Sequence, residues 1–126
     1  MGAVGAGAAL GFRATLERHL KAIAERDLDA LADTVASDAL VLITAEGRLV
    51  RHAREFLDTH RAWFVTPGWT LDVTPEEIYE TADMGIAVLR LLYQEPGVRS
   101  ESLLTLVFRK IGGKWLMVQD QNTPIK

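Results

Sequence analysis

Apolar positions along this chain fall first at helical and then at strand spacing. Phe12, Leu16, His19, Leu20 and Ile23 lie at i, i+4, i+7, i+8 and i+11, one stripe of an α-helix. Asp27 is a good N-cap for a second, shorter helix with Leu28, Leu31 and Val35 on its buried side. Leu40–Thr44 reads as a buried strand, and Ala45-Glu-Gly-Arg48 turns it, with Gly47 able to supply a positive φ. A third helix is predicted over about Arg51–Phe64, where Ala53, Phe56, Leu57, His60, Trp63 and Phe64 form one face. Thr66-Pro67-Gly68 ends it.

From there the character changes. Trp69–Tyr79, Met84–Gln94, Arg99–Ile111 and Lys114–Asn122 are strand-like runs separated by Thr81-Ala82-Asp83, Glu95-Pro96-Gly97 and Gly112-Gly113. Pro75 marks an edge or a bulge in the first of them, because it cannot donate to a sheet ladder. Helices followed by a strand meander, without βαβ alternation, predict an α+β fold with a mostly antiparallel sheet. In the last run, alternation groups Trp115, Met117, Gln119 and Gln121 on one side and Leu116, Val118, Asp120 and Asn122 on the other.

Composition narrows the function classes. The 126 residues suffice for one domain with one core, and 48% hydrophobic with 25% charged residues is ordinary for a globular chain. A formal net charge of -3, with no dense Lys/Arg cluster, argues against a nucleic-acid partner. Zero cysteines excludes disulfides, thiolate nucleophiles and cysteine-based metal sites. No apolar run approaches a membrane span. Residues 1–11, with four glycines and neither a basic n-region nor a bulky apolar core, read as a flexible tail ahead of a single domain over residues 12–126. The expected location is cytoplasmic.

Several polar residues interrupt apolar stretches. His19 and His60 sit on apolar helical stripes, as hydrogen-bonded core histidines or as site residues. Arg90, within Ala87-Val-Leu-Arg-Leu-Leu92, is either a structural ion pair, with Asp120 or Glu101, or an anchor for a carboxylate or enolate. Asp120 is the one carboxylate suited to general-base work, with a salt bridge or an exposed strand end as the alternative. Trp63 and Trp69 flank the Pro67-Gly68 turn, as core packing or as an apolar wall for a planar ligand. No metal site is expected: His19, His52 and His60 lack supporting ligands, and His52 and His60 are eight apart. No motif calls for a cofactor.

Two segments carry a family resemblance. Leu16-Glu-Arg-His-Leu-Lys-Ala-Ile-Ala-Glu-Arg-Asp-Leu-Asp-Ala-Leu31, followed by Ser37-Asp-Ala39, resembles the opening of NTF2-like proteins, a superfamily with a cystatin-like fold. Phe108-Arg-Lys-Ile-Gly-Gly-Lys-Trp115 and the ending Gln119-Asp-Gln-Asn-Thr123 look like the SgcJ/EcaC branch and its SnoaL-like relatives. The resemblance spans about Phe12 to Pro124. It implies a cone in which three N-terminal helices pack in a curved sheet around a pocket, and a homodimer formed through the outer sheet face.

The resemblance also bears on chemistry. Aligned without gaps from the first helix, the tyrosine donor of ketosteroid isomerases falls on His19 and their carboxylate base on Ile43; anchored on Gly113-Lys-Trp115, their acidic donor falls on Thr105. Isoleucine takes no proton and threonine is a weak acid, so that catalytic set is lost. Ile86-Ala-Val-Leu-Arg-Leu91 is similar to a strand of the calcium/calmodulin-dependent protein kinase II association domain, whose pocket arginine falls on Arg90. Its other two pocket arginines fall on Thr105 and Asn122. The resemblance therefore implies a pocket with His19 opposite Asp120, Asn122, Thr105 and Arg90; His60, from its helical stripe, and Trp63, from its place by the turn, are further ligand-binding candidates. The expected function is binding of a small, largely apolar ligand carrying an anionic or carbonyl group. The alternative is a SnoaL-like enzyme in which Asp120 or His19 moves a proton.

Overall fold

The computed structural model describes residues 10–126; the expected tail falls almost wholly outside them. Helix α1 (Phe12–Ala24) buries Phe12, Thr15, Leu16, His19, Ala22 and Ile23. Helix α2 (Leu28–Ala32) starts where Asp27 accepts a hydrogen bond from the Ala30 N–H at 3.0 Å. Asp33, just beyond α2, pairs with Arg18 of α1 at 2.6 Å and with Lys114 at 3.1 Å. The hydrogen bonds from Lys114 and then Arg18 hold its carboxyl below the usual range.

Strands β1 (Val41–Ile43) and β2 (Leu49–Arg51) precede helix α3 (Ala53–Phe64). Four long strands follow: β3 (Thr70–Glu80), β4 (Met84–Glu95), β5 (Val98–Ile111) and β6 (Lys114–Pro124). They form one six-stranded sheet in the order β2-β1-β6-β5-β4-β3. All neighbours run antiparallel except β1 and β6, which are parallel. The fold is α+β with a mixed, mostly antiparallel sheet, as expected. Strand β2 is an addition: the sequence pattern leaves Leu49 and Val50 unassigned and puts Arg51 at the start of α3. That helix begins at Ala53 rather than Arg51 because Arg51 continues the ladder opposite Val41.

Cross-strand register defines the inner face. One row runs Val50, Leu42, Asp120, Leu106, Ala87 and Ile78 across all six strands. The helices cover this face, and the core draws on both layers: Phe12, Leu16, Leu31 and Phe56 from helices, Leu89, Leu106, Phe108 and Met117 from strands. Phe12 meets the Phe108 and Trp115 rings at centroid distances of 5.5 and 5.4 Å. Gly85 lies directly beneath it.

Two bulges interrupt the ladders. In β3, the edge strand, Pro75 pairs with Leu89 and Glu77 with Val88, so Glu76 is the extra residue. Proline and exposed acidic residues there blunt the edge against further pairing. In β6, Met117 pairs with Phe108 and Gln119 with Val107, leaving Val118 unpaired. This corrects the simple alternation expected for that strand. A bulge reverses the side-chain phase. Trp115 and Met117 before it and Asp120 after it are all buried.

Candidate functional site

His19 is fully buried on the inner face of α1, edge-on to Phe108 at a ring distance of 5.8 Å. Its Nδ1 lies 2.8 Å from Thr34 Oγ1, and that hydroxyl donates its hydrogen to the Leu31 carbonyl at 2.8 Å. With the hydroxyl hydrogen committed, Thr34 can only accept from His19, which puts the imidazole hydrogen on Nδ1. Nε2 is then a bare lone pair, and it is enclosed without a partner. Desolvation, with a smaller contribution from the charge of His60, lowers the His19 pKa to about 3, so the ring is neutral at physiological pH.

His60, on α3, follows the same logic. Its Nδ1 donates to the Phe56 carbonyl at 2.9 Å, and the ring lies 4.1 Å from that of Phe56. A carbonyl accepts only, so Nε2 again carries the lone pair. Burial lowers the His60 pKa too, against the opposing effect of that hydrogen bond.

Asp120 lies on the inner face between Leu42 of β1 and Leu106 of β5 and is 6% exposed. Burial alone, with no compensating charge or hydrogen bond, raises its carboxyl to about 7. The adjacent inner-face position on β6 is Asn122, paired with Leu104, whose Oδ1 is enclosed without a partner. Four expected site residues, His19, His60, Asp120 and Asn122, thus share the helix-covered side of the sheet.

Arg90 and Thr105 do not join them. Both stand on the outer face, because their strand neighbours Leu89, Leu91, Leu104 and Leu106 are the buried, inward ones. Arg90 Nε donates to Glu76 at 3.0 Å and Nη1 lies 3.8 Å from Glu101. Arg90 is therefore an ion-pair residue; of its two expected partners it meets Glu101, while Asp120 lies on the opposite face. The interior loses the cation that an anionic ligand requires.

Trp63 is half-buried and stacks on Trp69 at 4.3 Å, with Tyr93 6.1 Å beyond. Arg26 covers the other side of Trp69, 3.8 Å from the ring centroid, and its Nη2 donates to the Trp69 carbonyl at 2.6 Å. The loop between α1 and α2 is thereby clamped to the start of β3. Two residues passed over in the sequence carry weight here: Arg26 through this clamp, and Thr34 through the tautomer it imposes. An open surface depression beside Arg51, His52, Arg54, Glu55 and Asp58 contains none of the expected site residues.

The chain belongs to the SnoaL-like domain family, whose model matches residues 12–123. Solved structures with the NTF2-like, cystatin-like fold resemble it over nearly their full length. One, from Thiobacillus denitrificans, is provisionally identified as a calcium/calmodulin-dependent protein kinase type II association domain. It superposes with a TM-score of 0.82 at 20% identity, over 94% of this chain and 98% of that one. Another is provisionally a dehydratase of the NTF2-like family from Streptomyces avermitilis (TM-score 0.77, 13% identity, 90% and 93% covered). A third, from Shewanella frigidimarina, is provisionally a ketosteroid isomerase (TM-score 0.73, 20% identity, 87% and 92% covered). No protein of curated function matches the sequence. At these identities the likeness establishes fold, and chemistry has to be argued from side chains. Among the described residues no helix is long and apolar enough to cross a membrane.

Proposed function

We propose that the space between the helices and the inner sheet face binds a small, neutral, largely apolar molecule, and that Asp120 moves a proton on it. Asp120 carries the reading. A carboxyl raised to about 7 populates both protonation states at neutral pH, the condition a proton carrier needs. Its setting of Leu42, Leu106 and Ala87 suits an apolar substrate, and the outward Arg90 removes the case for an anionic one. The isomerase and dehydratase named among the structural relatives support this class of reaction. Ionised Asp120 takes a hydrogen from the carbon beside a carbonyl, and the electron pair moves into the enolate. On a β,γ-unsaturated substrate, returning the proton to the γ-carbon shifts the double bond and completes an isomerisation; on a β-hydroxy substrate, passing it to the departing β-hydroxyl completes a dehydration with loss of water.

Solvent deuterium incorporation into small cyclic, aryl and β-hydroxy ketones, followed by proton NMR, tests this. The wild type should exchange the α-hydrogens of at least one, and Asp120→Asn should slow that exchange by about a hundredfold or more. Equal rates for the two proteins, or no exchange by the wild type across the panel, would refute it.

The outer face supports a further proposal, association of two copies. Ile86, Val88, Leu103, Val107 and Leu116 remain half-exposed there. Light scattering at micromolar concentration should give twice the chain mass, and a monomer would remove the proposal.

A further inference from the structure

Hydrogen-bond accounting in the interior is lopsided. The Thr15 hydroxyl donates to the Gly11 carbonyl at 2.9 Å, Thr34 to Leu31, His19 Nδ1 to Thr34, and His60 Nδ1 to Phe56. Trp69 Nε1 donates to the Trp63 carbonyl at 3.1 Å. The hydrogens of these hydroxyls and rings are thus all consumed within the protein. What remains unpartnered is two enclosed acceptors, His19 Nε2 and Asn122 Oδ1, with His60 Nε2 as a further lone pair; the Asn122 amide hydrogens and the Asp120 carboxyl in its protonated form are the hydrogens left to give. Among the described residues no lysine or arginine is buried. An enclosed acceptor without a donor is a standing penalty, so an incoming molecule is selected by what hydrogens it brings.

We propose that the ligand is a neutral hydroxyl compound that donates its O–H hydrogen to His19 Nε2. This deepens the preceding reading and rests on it, in that it requires the interior to admit a small molecule. A ketone lacking a hydroxyl sets its own lone pairs against that of His19. A carboxylate does the same and finds no cation. An ammonium group has hydrogens to give, but its charge would need a fixed counter-ion, and burial biases Asp120, the one buried carboxyl among the described residues, toward its neutral form. Thr34 is a positioning residue here: by holding the imidazole hydrogen on Nδ1 it keeps Nε2 open to a donor. Within the proposed reaction the substrate class becomes the β-hydroxy ketone, its hydroxyl held by His19 and its acidic carbon offered to Asp120.

Five probes share one apolar body: p-cresol, toluene, 4-methylacetophenone, p-toluate and 4-methylbenzylamine. They would be titrated into protein carrying 15N-histidine at pH 7, where p-cresol is neutral. p-Cresol should bind at least tenfold more tightly than the other four and move the His19 Nε2 resonance upfield, the signature of an accepted hydrogen bond. His19→Leu should reduce p-cresol affinity to that of toluene, and the wild-type nitrogen shift decides the matter even if that variant does not fold. Binding of toluene, the ketone, the acid or the amine as tight as that of p-cresol overturns the hydroxyl assignment and leaves the pocket standing. So does p-cresol binding with an unmoved Nε2. Failure of all five to bind overturns both readings together.

Discussion

Replacing Asp120 by asparagine should make the protein progressively more stable than the wild type as the pH rises from 4 to 8. The Asp120 carboxyl is raised from its ordinary 3.8 to about 7 by burial. Between those values the unfolded chain has released the proton and the folded chain still holds it, so the unfolded state binds fewer protons and wild-type stability falls as pH rises. The burial penalty is absent below about pH 4 and complete above about pH 7. Across that window it amounts to roughly 4 kcal/mol, at about 1.36 kcal/mol per pH unit. Asparagine does not ionise. Its own unsatisfied amide lowers stability by an amount that does not change with pH, so the variant's stability relative to the wild type still rises across the window.

His19 shows why the comparison has to be differential. Its pKa is lowered from 6.5 to about 3, so below pH 6.5 the unfolded chain takes up a proton that the folded chain refuses. That contribution falls as the pH falls, and the lowered His60 acts in the same direction. The opposite slopes of Asp120 and His19 overlap between about pH 4 and 6.5 and largely cancel. The wild type should therefore be less pH-sensitive there than Asp120→Asn, which should lose stability steeply on acidification. Urea denaturation at intervals of half a pH unit reads both slopes. Parallel curves for the two proteins would mean that Asp120 is solvated or paired.

Gly85→Ala should be among the most damaging single-methyl additions in the chain. A Cβ there would come within 2.5 to 2.6 Å of three Phe12 ring atoms. Phe12 cannot swing away: it is 1% exposed and held by the Phe108 and Trp115 rings. Overpacking of this kind destabilises by about 3 kcal/mol, near the top of the usual range, and lowers Tm by about 10 °C for a domain of this size. Adding Phe12→Leu should recover part of the loss, because the smaller side chain vacates the ring position. The pair is coupled, so a thermal melt of the double variant should beat the sum of the singles. Strict additivity would show that the strain lies elsewhere.

The four long strands were legible because turn residues separate them and each run is long enough to show its period. Strand β2 was not. Leu49-Val-Arg51 is too short to carry alternation, and only its ladder to β1 buries Val50. The inward placement of His19 and His60 followed from helical stripes, since every apolar neighbour on the stripe pointed the same way. Arg90 failed for a physical reason: β4 is apolar on both faces, so alternation could not choose between them. Matching Ile86–Leu91 to the kinase association domain, and anchoring on Gly113-Lys-Trp115, then placed Arg90 and Thr105 inside. Thr34 was beyond reach because its role depends on a side chain fifteen residues earlier across a helix turn. Asp120 was picked out by residue type, while its unpaired burial emerged only from the sheet register.

The unpaired Val118 sets the face on which the interior acid stands. Met117 already lies opposite Phe108 and Asp120 opposite Leu106, so an in-frame loss of the Val118 codon would leave both pairs in place and remove only the kink. A chain of unchanged length that paired Val118 opposite Val107 would instead carry Asp120 and Asn122 to the outer face without any substitution. Homologues are therefore better sorted by their pairing at this point than by percentage identity.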